Sequence, residues 1–153
     1  MDDIDRRILD ILQRDAKISQ ARIAETVGLT TPSVNERIKK LETRGFIQRF
    51  TALLDPRLVG MPLVAHVDVL LEHPRFERPF LEAIEALLDV QECYAISGDF
   101  GYRLKIRARD VEHLEVILRE KVQTLRGVVR TRVELSLSVK KDSTLLPLAE
   151  GGA

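Results

Sequence analysis

Polar and basic side chains between residues 31 and 44 have the chemistry to contact a nucleic acid. Asparagine and arginine can each form two hydrogen bonds with one base edge, and lysine and arginine can bind phosphate. Val34, Ile38 and Leu41 have the spacing of one buried helix face, so the other faces carry these polar groups. The residues predicted to contact double-stranded DNA are Thr31, Ser33, Asn35, Arg37, Lys39, Lys40 and Arg44.

Position along this helix predicts two roles for its side chains. Ser33 and Asn35 lie near the helix start and are candidates for reading bases. The two lysines and Arg44 lie further along and suit phosphates, which position a protein without specifying sequence. Glu36 would repel phosphate and is expected to pair with Lys40. The alternative interpretation is a solvated charged face.

The charge of this region favours nucleic acid, although the whole chain is neutral with 24 basic and 24 acidic residues. Between Lys17 and Arg49 there are seven basic and three acidic residues, a net charge of +4. The remainder, with 17 basic and 21 acidic residues, carries −4. Because phosphate attraction depends on local charge, the neutral total does not argue against DNA.

Three short helices are predicted to position these side chains. Apolar spacing indicates a helix at residues 2–15, and Ser19 and Thr30 have the residue types that cap two more. Between the second and third helices, Ala24 permits close crossing, and Gly28 permits a left-handed turn. Val34 seals the interface between them. This spacing predicts a helix-turn-helix.

The pattern after Phe46 predicts a second domain of α+β type. Alternation and helical spacing give strands at 63–71, 92–97, 102–108 and 128–139 and helices at 74–88 and 110–125. This βαββαβ order is ferredoxin-like. The predicted fold class is therefore α+β, with an N-terminal winged-type helix-turn-helix of three helices. The predicted domains are 1–50 (DNA-binding), 51–61 (linker strand and connector), 62–141 (sensing and oligomerisation) and 142–153 (C-terminal tail).

The segment from Phe46 to Leu54 reads as an extended strand. A lone strand leaves backbone groups unpaired, so we expect it to pair with the same segment of a second copy. Twofold pairing would present two recognition helices to a pseudopalindromic operator. The sequence therefore predicts a homodimer.

Several motifs make the chain resemble the leucine-responsive/asparagine-regulator (Lrp/AsnC) family over residues 2–141. The resemblance rests on residues 5–9 (DRRIL), 23–30 (IAETVGLT), 37–47 (RIKKLETRGFI), 94–102 (YAISGDFGY) and 125–128 (LRGV). It implies a transcription factor that dimerises, often assembles into octamers, and senses amino acids between dimers. The implied effector-binding residues are Ser97, Gly98, Asp99, Phe100, Gly101, Tyr102 and Glu134.

The sequence departs from the family pattern at the glycine-rich turn. The family's turn usually has a second aspartate where this chain has Gly101, and an aliphatic residue where it has Arg103. Losing a carboxylate weakens the case for a ligand that carries an ammonium group. Either Glu134 restores the charge, or the effector differs. The alternative is that residues 98–101 form only a tight hairpin turn.

The remaining features predict no catalysis, cofactor or metal site. His66, His73 and His113 are too scattered to form a metal site with Cys93, and phosphate-binding or hydrolase motifs are missing. Basic residues at 103, 105, 107 and 109 are expected to be a solvated face balanced by acids rather than an anion-binding strip. The acidic N-terminus and short apolar runs predict a soluble cytoplasmic protein. The rival hypothesis is an enzymatic relative that decarboxylates a tetrapyrrole.

Overall fold

The chain folds into two units in the structure, a computed structural model that describes residues 1–148. The first unit contains Met1–Leu53 together with residues 141–148, and the second contains Leu54–Lys140. Residues 149–153 of the predicted tail lie outside the described range. None of the helices within residues 1–148 is long and apolar enough to cross a bilayer.

Three helices form the first unit: α1 (Asp3–Arg14), α2 (Gln20–Val27) and α3 (Thr31–Thr43). Side-chain oxygens of Asp2, Ser19 and Thr30 each accept a hydrogen bond from a backbone N–H in the first turn. Such caps satisfy donors that a helix leaves unpaired at its start. The predicted caps of the second and third helices are therefore confirmed.

The interface between α2 and α3 has the predicted features. Ala24 and Val34 are buried, and Gly28 adopts a φ of 71°, in the left-handed region that glycine enters without strain. The shared core of the three helices consists of Ile8, Leu12, Ile23, Ala24, Val27, Val34, Ile38 and Leu41.

Two segments flank this trihelical core. The main chain after α3 pairs with no strand before Leu63 within the described residues, so the predicted wing is not formed inside one chain. The C-terminal segment contacts α1 instead of lying free. The Leu146 amide donates to Gln13 Oε1 at 2.9 Å, and Gln13 Nε2 donates to the Leu146 carbonyl at 3.0 Å.

The second unit is a four-stranded antiparallel sheet with helices on one face, as predicted. Its strands β1 (Leu63–Leu71), β2 (Val90–Ala95), β3 (Tyr102–Ala108) and β4 (Val128–Leu135) have the spatial order β2-β3-β1-β4. A short 3-10 turn, Pro74–Phe76, precedes α4 (Glu77–Glu85), and α5 (Val111–Val116) continues into a π-helical turn, Ile117–Val122. The ferredoxin-like arrangement is therefore confirmed.

Several predicted boundaries in this unit are wrong, and among them β2 spans Val90–Ala95 rather than residues 92–97. The last strand ends at Leu135 rather than Val139, because Leu135 pairs with Ala65 only two residues from the start of β1. The single helix predicted at 74–88 is a 3-10 turn followed by α4, which ends at Glu85. The chain must then turn so that Val90 can pair with Ile106 in the sheet.

The two faces of the sheet differ in chemistry. The face toward the helices is apolar and includes the buried residues Ala65, Val67, Val69, Leu104 and Ile106. Since side chains alternate along a strand, the opposite face carries the residues between them. That face, which we call the open face, presents a dense array of charged side chains: Asp68, Glu92, Arg103, Lys105, Arg107, Arg130, Arg132 and Glu134.

Candidate functional site

The outward surface of α3 carries the predicted DNA-contacting residues. Thr31, Asn35 and Lys39 are exposed at intervals of four residues, so they form one row along the helix. Asn35 Oδ1 accepts a hydrogen bond from Gln20 Nε2 at 3.2 Å, which links the row to α2. Ser33 is only half-buried at the start of the same helix. The geometry is that of a polar helix surface available to a groove.

Basic residues continue this surface beyond the first turns. Lys40 Nζ lies 2.6 Å from Glu36 Oε1, as predicted, and this hydrogen bond lowers the pKa of Glu36. Both side chains are about two-thirds exposed, at 67% and 68%, so the pair is weak and open to exchange with phosphate. The Arg44 guanidinium lies over the Phe46 ring, 5.1 Å from its centroid.

The Arg37 guanidinium forms ion pairs at the start of α1, and its predicted contact with DNA stays a prediction. Its Nη1 donates to Asp2 Oδ2 and to Asp5 Oδ1, both at 2.7 Å. These hydrogen bonds raise the pKa of Arg37, and the pKa of Asp2 is lowered first by the Asp5 backbone N–H and then by Arg37. Arg37 therefore ties α3 to the N-terminus of α1.

A cavity of about 580 Å³ in the second unit adjoins the predicted glycine-rich turn. Four of the seven predicted effector residues line it: Ser97, Gly98, Asp99 and Phe100. The other lining residues are Ala95 and Ile96 of the same segment and three charged residues of the open face, Asp68, Arg103 and Arg132. The structure thus brings the turn together with a charged row that sequence analysis did not nominate.

Asp68 is the centre of that charged row. It lies on β1 directly opposite Arg103 of β3 and Arg132 of β4, and it is only 2% exposed. Arg103 donates from Nε to Oδ1 at 2.6 Å and from Nη2 to Oδ2 at 3.0 Å, and Arg132 Nη2 also donates to Oδ2. The hydrogen bonds from Arg103 contribute most to a lowered pKa of Asp68, which burial opposes. The same bonds raise the pKa of Arg103.

Phe100 fixes the turn beside this row. The residue is 8% exposed, and the guanidiniums of Arg130 and Arg132 lie 4.7 and 5.0 Å from its ring centroid. Cation–π contacts at such distances hold planar guanidiniums over a ring. Glu134 Oε1 lies 3.6 Å from Arg132 Nε, so the acid expected to restore the missing charge is itself paired to the row.

The other three predicted effector residues, Gly101, Tyr102 and Glu134, do not line the cavity. Tyr102 points to the helix side of the sheet, where its hydroxyl donates to Glu77 Oε1 at 2.6 Å. Burial, followed by this hydrogen bond, raises the pKa of Tyr102 to about 12. At Gly101 an added Cβ would meet no atom within 4 Å, and φ lies outside the left-handed region. Glycine at this position is therefore not required by sterics.

The remaining charged residues are engaged in local contacts. Lys105 Nζ contacts Glu92 Oε1 at 2.8 Å, so this member of the basic strip at 103–109 is balanced by an acid, as predicted. Arg107 is buried, and its Nε donates to Gln91 Oε1 at 3.0 Å, so the prediction of a solvated face is wrong at this residue. Cys93 packs against the sheet core. Among residues 1–148, no group of three or more histidine, cysteine, aspartate or glutamate side chains could hold a metal ion.

Comparisons with known proteins identify both units. An AsnC-type helix-turn-helix domain model matches residues 1–42, and an Lrp/AsnC ligand binding domain model matches residues 63–146. The chain belongs to the Lrp/AsnC family. It is 38% identical to the leucine-responsive regulatory proteins of Klebsiella pneumoniae and Escherichia coli K12 over 148 residues, which is 95% of this chain and 90% of each relative.

Solved Lrp/AsnC structures have the same fold. An AsnC family regulator from Agrobacterium tumefaciens is 30% identical, with a TM-score of 0.90 over 96% of this chain and 97% of that one. A transcriptional regulator from Neisseria meningitidis, solved in complex with L-Met, is 25% identical with a TM-score of 0.91, over 96% of both chains. The Lrp/AsnC chain described here is a DNA-binding transcriptional regulator with a ligand-binding domain, not an enzyme.

Proposed function

We propose that this Lrp/AsnC protein is a cytoplasmic homodimer, assembling further to an octamer, that binds a pseudopalindromic DNA operator through α3. The observation that carries the proposal is the exposed row of Thr31, Asn35 and Lys39, which lies on the second helix of a helix-turn-helix. The second helix of this motif is the one that enters the major groove. The local charge of +4 supplies attraction for phosphate.

Side-chain chemistry indicates which residues of α3 contact bases and which contact phosphates. Asn35 can bind an adenine edge with two hydrogen bonds once it releases Gln20, and Ser33 can contribute a third contact. Lys39, Lys40 and Arg44 neutralise phosphates. Arg37 contacts DNA only if its bonds to Asp2 and Asp5 open, so we assign it to holding α3 in place.

We further propose that a small metabolite binds the cavity beside residues 97–100 and changes the affinity for DNA. The complex of the Neisseria meningitidis regulator with L-Met supports an amino acid as the effector class. The predicted site between dimers would require residues of a second copy in addition to those on this cavity. Octamer formation and effector binding are therefore expected to be linked.

Selection of bound duplexes from a random pool tests the DNA-binding half. Asn35→Ala should relax preference at one base-pair position per half-site, a loss of about 1–3 kcal/mol of discrimination. Lys39→Ala should weaken binding to all sequences alike and reduce the salt dependence by about one phosphate per copy. Arg78→Ala, which removes an exposed arginine from the second unit, is the matched control and should change neither. Equal losses in all three variants would refute the assignment to α3.

Calorimetry with the standard L-amino acids, followed by DNA retardation, tests the effector half. We expect saturable binding by at least one amino acid and a shift in DNA affinity when it is added. Loss of that binding in Glu134→Ala would support Glu134 as the replacement carboxylate. Absence of binding by every amino acid at millimolar concentration would refute amino-acid sensing.

A further inference from the structure

The three residues of the charged row that line the cavity, Asp68, Arg103 and Arg132, carry a net charge of +1, and Glu134, which lies 3.6 Å from Arg132 Nε, is outside the cavity lining. Asp68 contributes one negative charge, and Arg103 and Arg132 contribute two positive charges within hydrogen-bonding distance of it. The acid is buried, whereas the side chains of the two arginines are 38% and 53% exposed. Within the cavity lining, the part of the row that an incoming molecule can reach is therefore the two guanidiniums.

Arg103 retains unused hydrogen-bonding capacity toward the cavity. A guanidinium has five N–H donors in a planar fork, and Arg103 directs Nε and one Nη2 hydrogen to Asp68. The two N–H groups of Nη1 and the second N–H group of Nη2 donate to no acceptor among residues 1–148. A planar pair of donors of this kind matches the two oxygens of a carboxylate.

The cavity is less well equipped to bind an ammonium group. Asp68 already accepts from two guanidiniums through both oxygens, and residue 101, as a glycine, offers no carboxylate. Asp99 is the one other acid on the cavity wall, and it is exposed to solvent. Arg103 and Arg132 are oriented by their hydrogen bonds to Asp68, whereas the Asp99 side chain makes no hydrogen bond or ion pair among residues 1–148. An ion pair with Asp99 would therefore lose more side-chain entropy than one with the arginines.

We propose that Arg103 and Arg132, held in place by Asp68, bind the carboxylate of the effector, and that the effector's amino group is dispensable. The ligand class is therefore small carboxylic acids, in which 2-oxo acids bind alongside the amino acids of the same side chain. This inference rests on the effector half of the proposed function. To the proposed function it adds the residues that select the ligand, Arg103 and Arg132, and the group that they recognise, the carboxylate.

Matched ligand series test the carboxylate requirement by calorimetry on the full-length protein. The series are the standard L-amino acids, their carboxamides and their 2-oxo acids. For the side chain that binds most tightly, the 2-oxo acid should bind within about fivefold of the amino acid. The carboxamide should bind at least about tenfold more weakly. A carboxamide that binds as tightly as the acid, or a 2-oxo acid that fails to bind, would overturn the inference.

Variants locate the effect on the charged row. Arg103→Leu should weaken binding of the carboxylic acid by at least about tenfold. Lys105→Leu is the control, because Lys105 lies two residues away on the same face and outside the cavity, and it should leave this affinity unchanged. Arg132→Leu is expected to weaken binding as Arg103→Leu does, and it replaces Arg103→Leu in the experiment if Arg103→Leu does not fold. Unchanged affinity in a folded arginine variant would overturn the inference while leaving effector sensing intact. If no compound in any series binds although DNA is retarded, the effector half of the proposed function fails, and this inference fails with it.

Discussion

Removing both arginines from the row should destabilise the second unit far more than removing the whole row. In the variant Arg103→Met, Arg132→Met, the Asp68 carboxylate keeps its buried position but loses every guanidinium that neutralises it. Leaving one charge uncompensated in a protein interior costs about 3–5 kcal/mol. Adding Asp68→Val to that variant removes the charge itself. Apolar replacement of a complete buried ion cluster is often neutral, so most of the lost stability should return.

The pH dependence of these variants has a defined sign. In the native protein the pKa of Asp68 lies below its ordinary value. Asp68 therefore contributes to the free energy of unfolding at pH values above its pKa in the unfolded chain, and this contribution disappears as pH falls through its pKa in the folded chain. Without the arginines, burial raises the pKa, so the carboxylate is protonated in mild acid and its penalty disappears there. The gap between the native protein and the double variant should therefore be largest near neutrality and smallest in acid.

Urea unfolding followed by far-ultraviolet circular dichroism measures both effects at fixed protein concentration. The expected order of stability at neutral pH is native, then the triple variant, then the double variant. A triple variant no more stable than the double one would show that lost packing, rather than an unpaired charge, is responsible. A gap that widens in acid would contradict the electrostatic explanation directly.

Three further predictions concern other parts of the chain. Gly127→Ala should cost about 2–4 kcal/mol of unfolding free energy, because φ is +92° and its Cβ would lie 2.3 Å from Phe76 Cγ, whereas Gly101→Ala should be nearly neutral. Arg37→Leu should lower the melting temperature of the first unit, but should leave the salt dependence of DNA binding unchanged. Absorbance titration should place the ionisation of Tyr102 at a pKa of about 12. Because this pKa is higher in the folded than in the unfolded chain, the free energy of unfolding should fall as pH rises from 10 to 12. Tyr102→Phe should abolish that loss.

Central strands and helix caps could be predicted because their determinants are local. β1 and β3 occupy the predicted ranges, Leu63–Leu71 and Tyr102–Ala108, since both are bordered by other strands and alternate regularly. The edge strands β2 and β4 were misjudged by two to four residues at their ends. An edge strand stops where its neighbour stops, and sequence alone does not reveal the register of pairing.

In the candidate sites, too, locally determined features could be predicted and long-range contacts could not. The turn at 97–100 is contiguous in sequence and carries a recognisable motif, so its place beside a cavity could be anticipated. Asp68 pairs with residues 35 and 64 positions away, and Arg37 contacts Asp5 across 32 positions. These partners are determined by cross-strand register and helix packing. Only the basic residues at every second position of β3 hinted at a charged row, and they did not identify its buried acid.

The central claim is that α3 and its neighbouring cations bind DNA as part of a dimer. The measurement that tests it most directly is the affinity for promoter DNA as a function of salt concentration. Three phosphate contacts per copy, from Lys39, Lys40 and Arg44, give six per dimer and a slope of log affinity against log salt of about −5. Absence of DNA retardation at low salt, or a slope near zero, would contradict the claim, and binding of a tetrapyrrole instead would favour the enzymatic alternative.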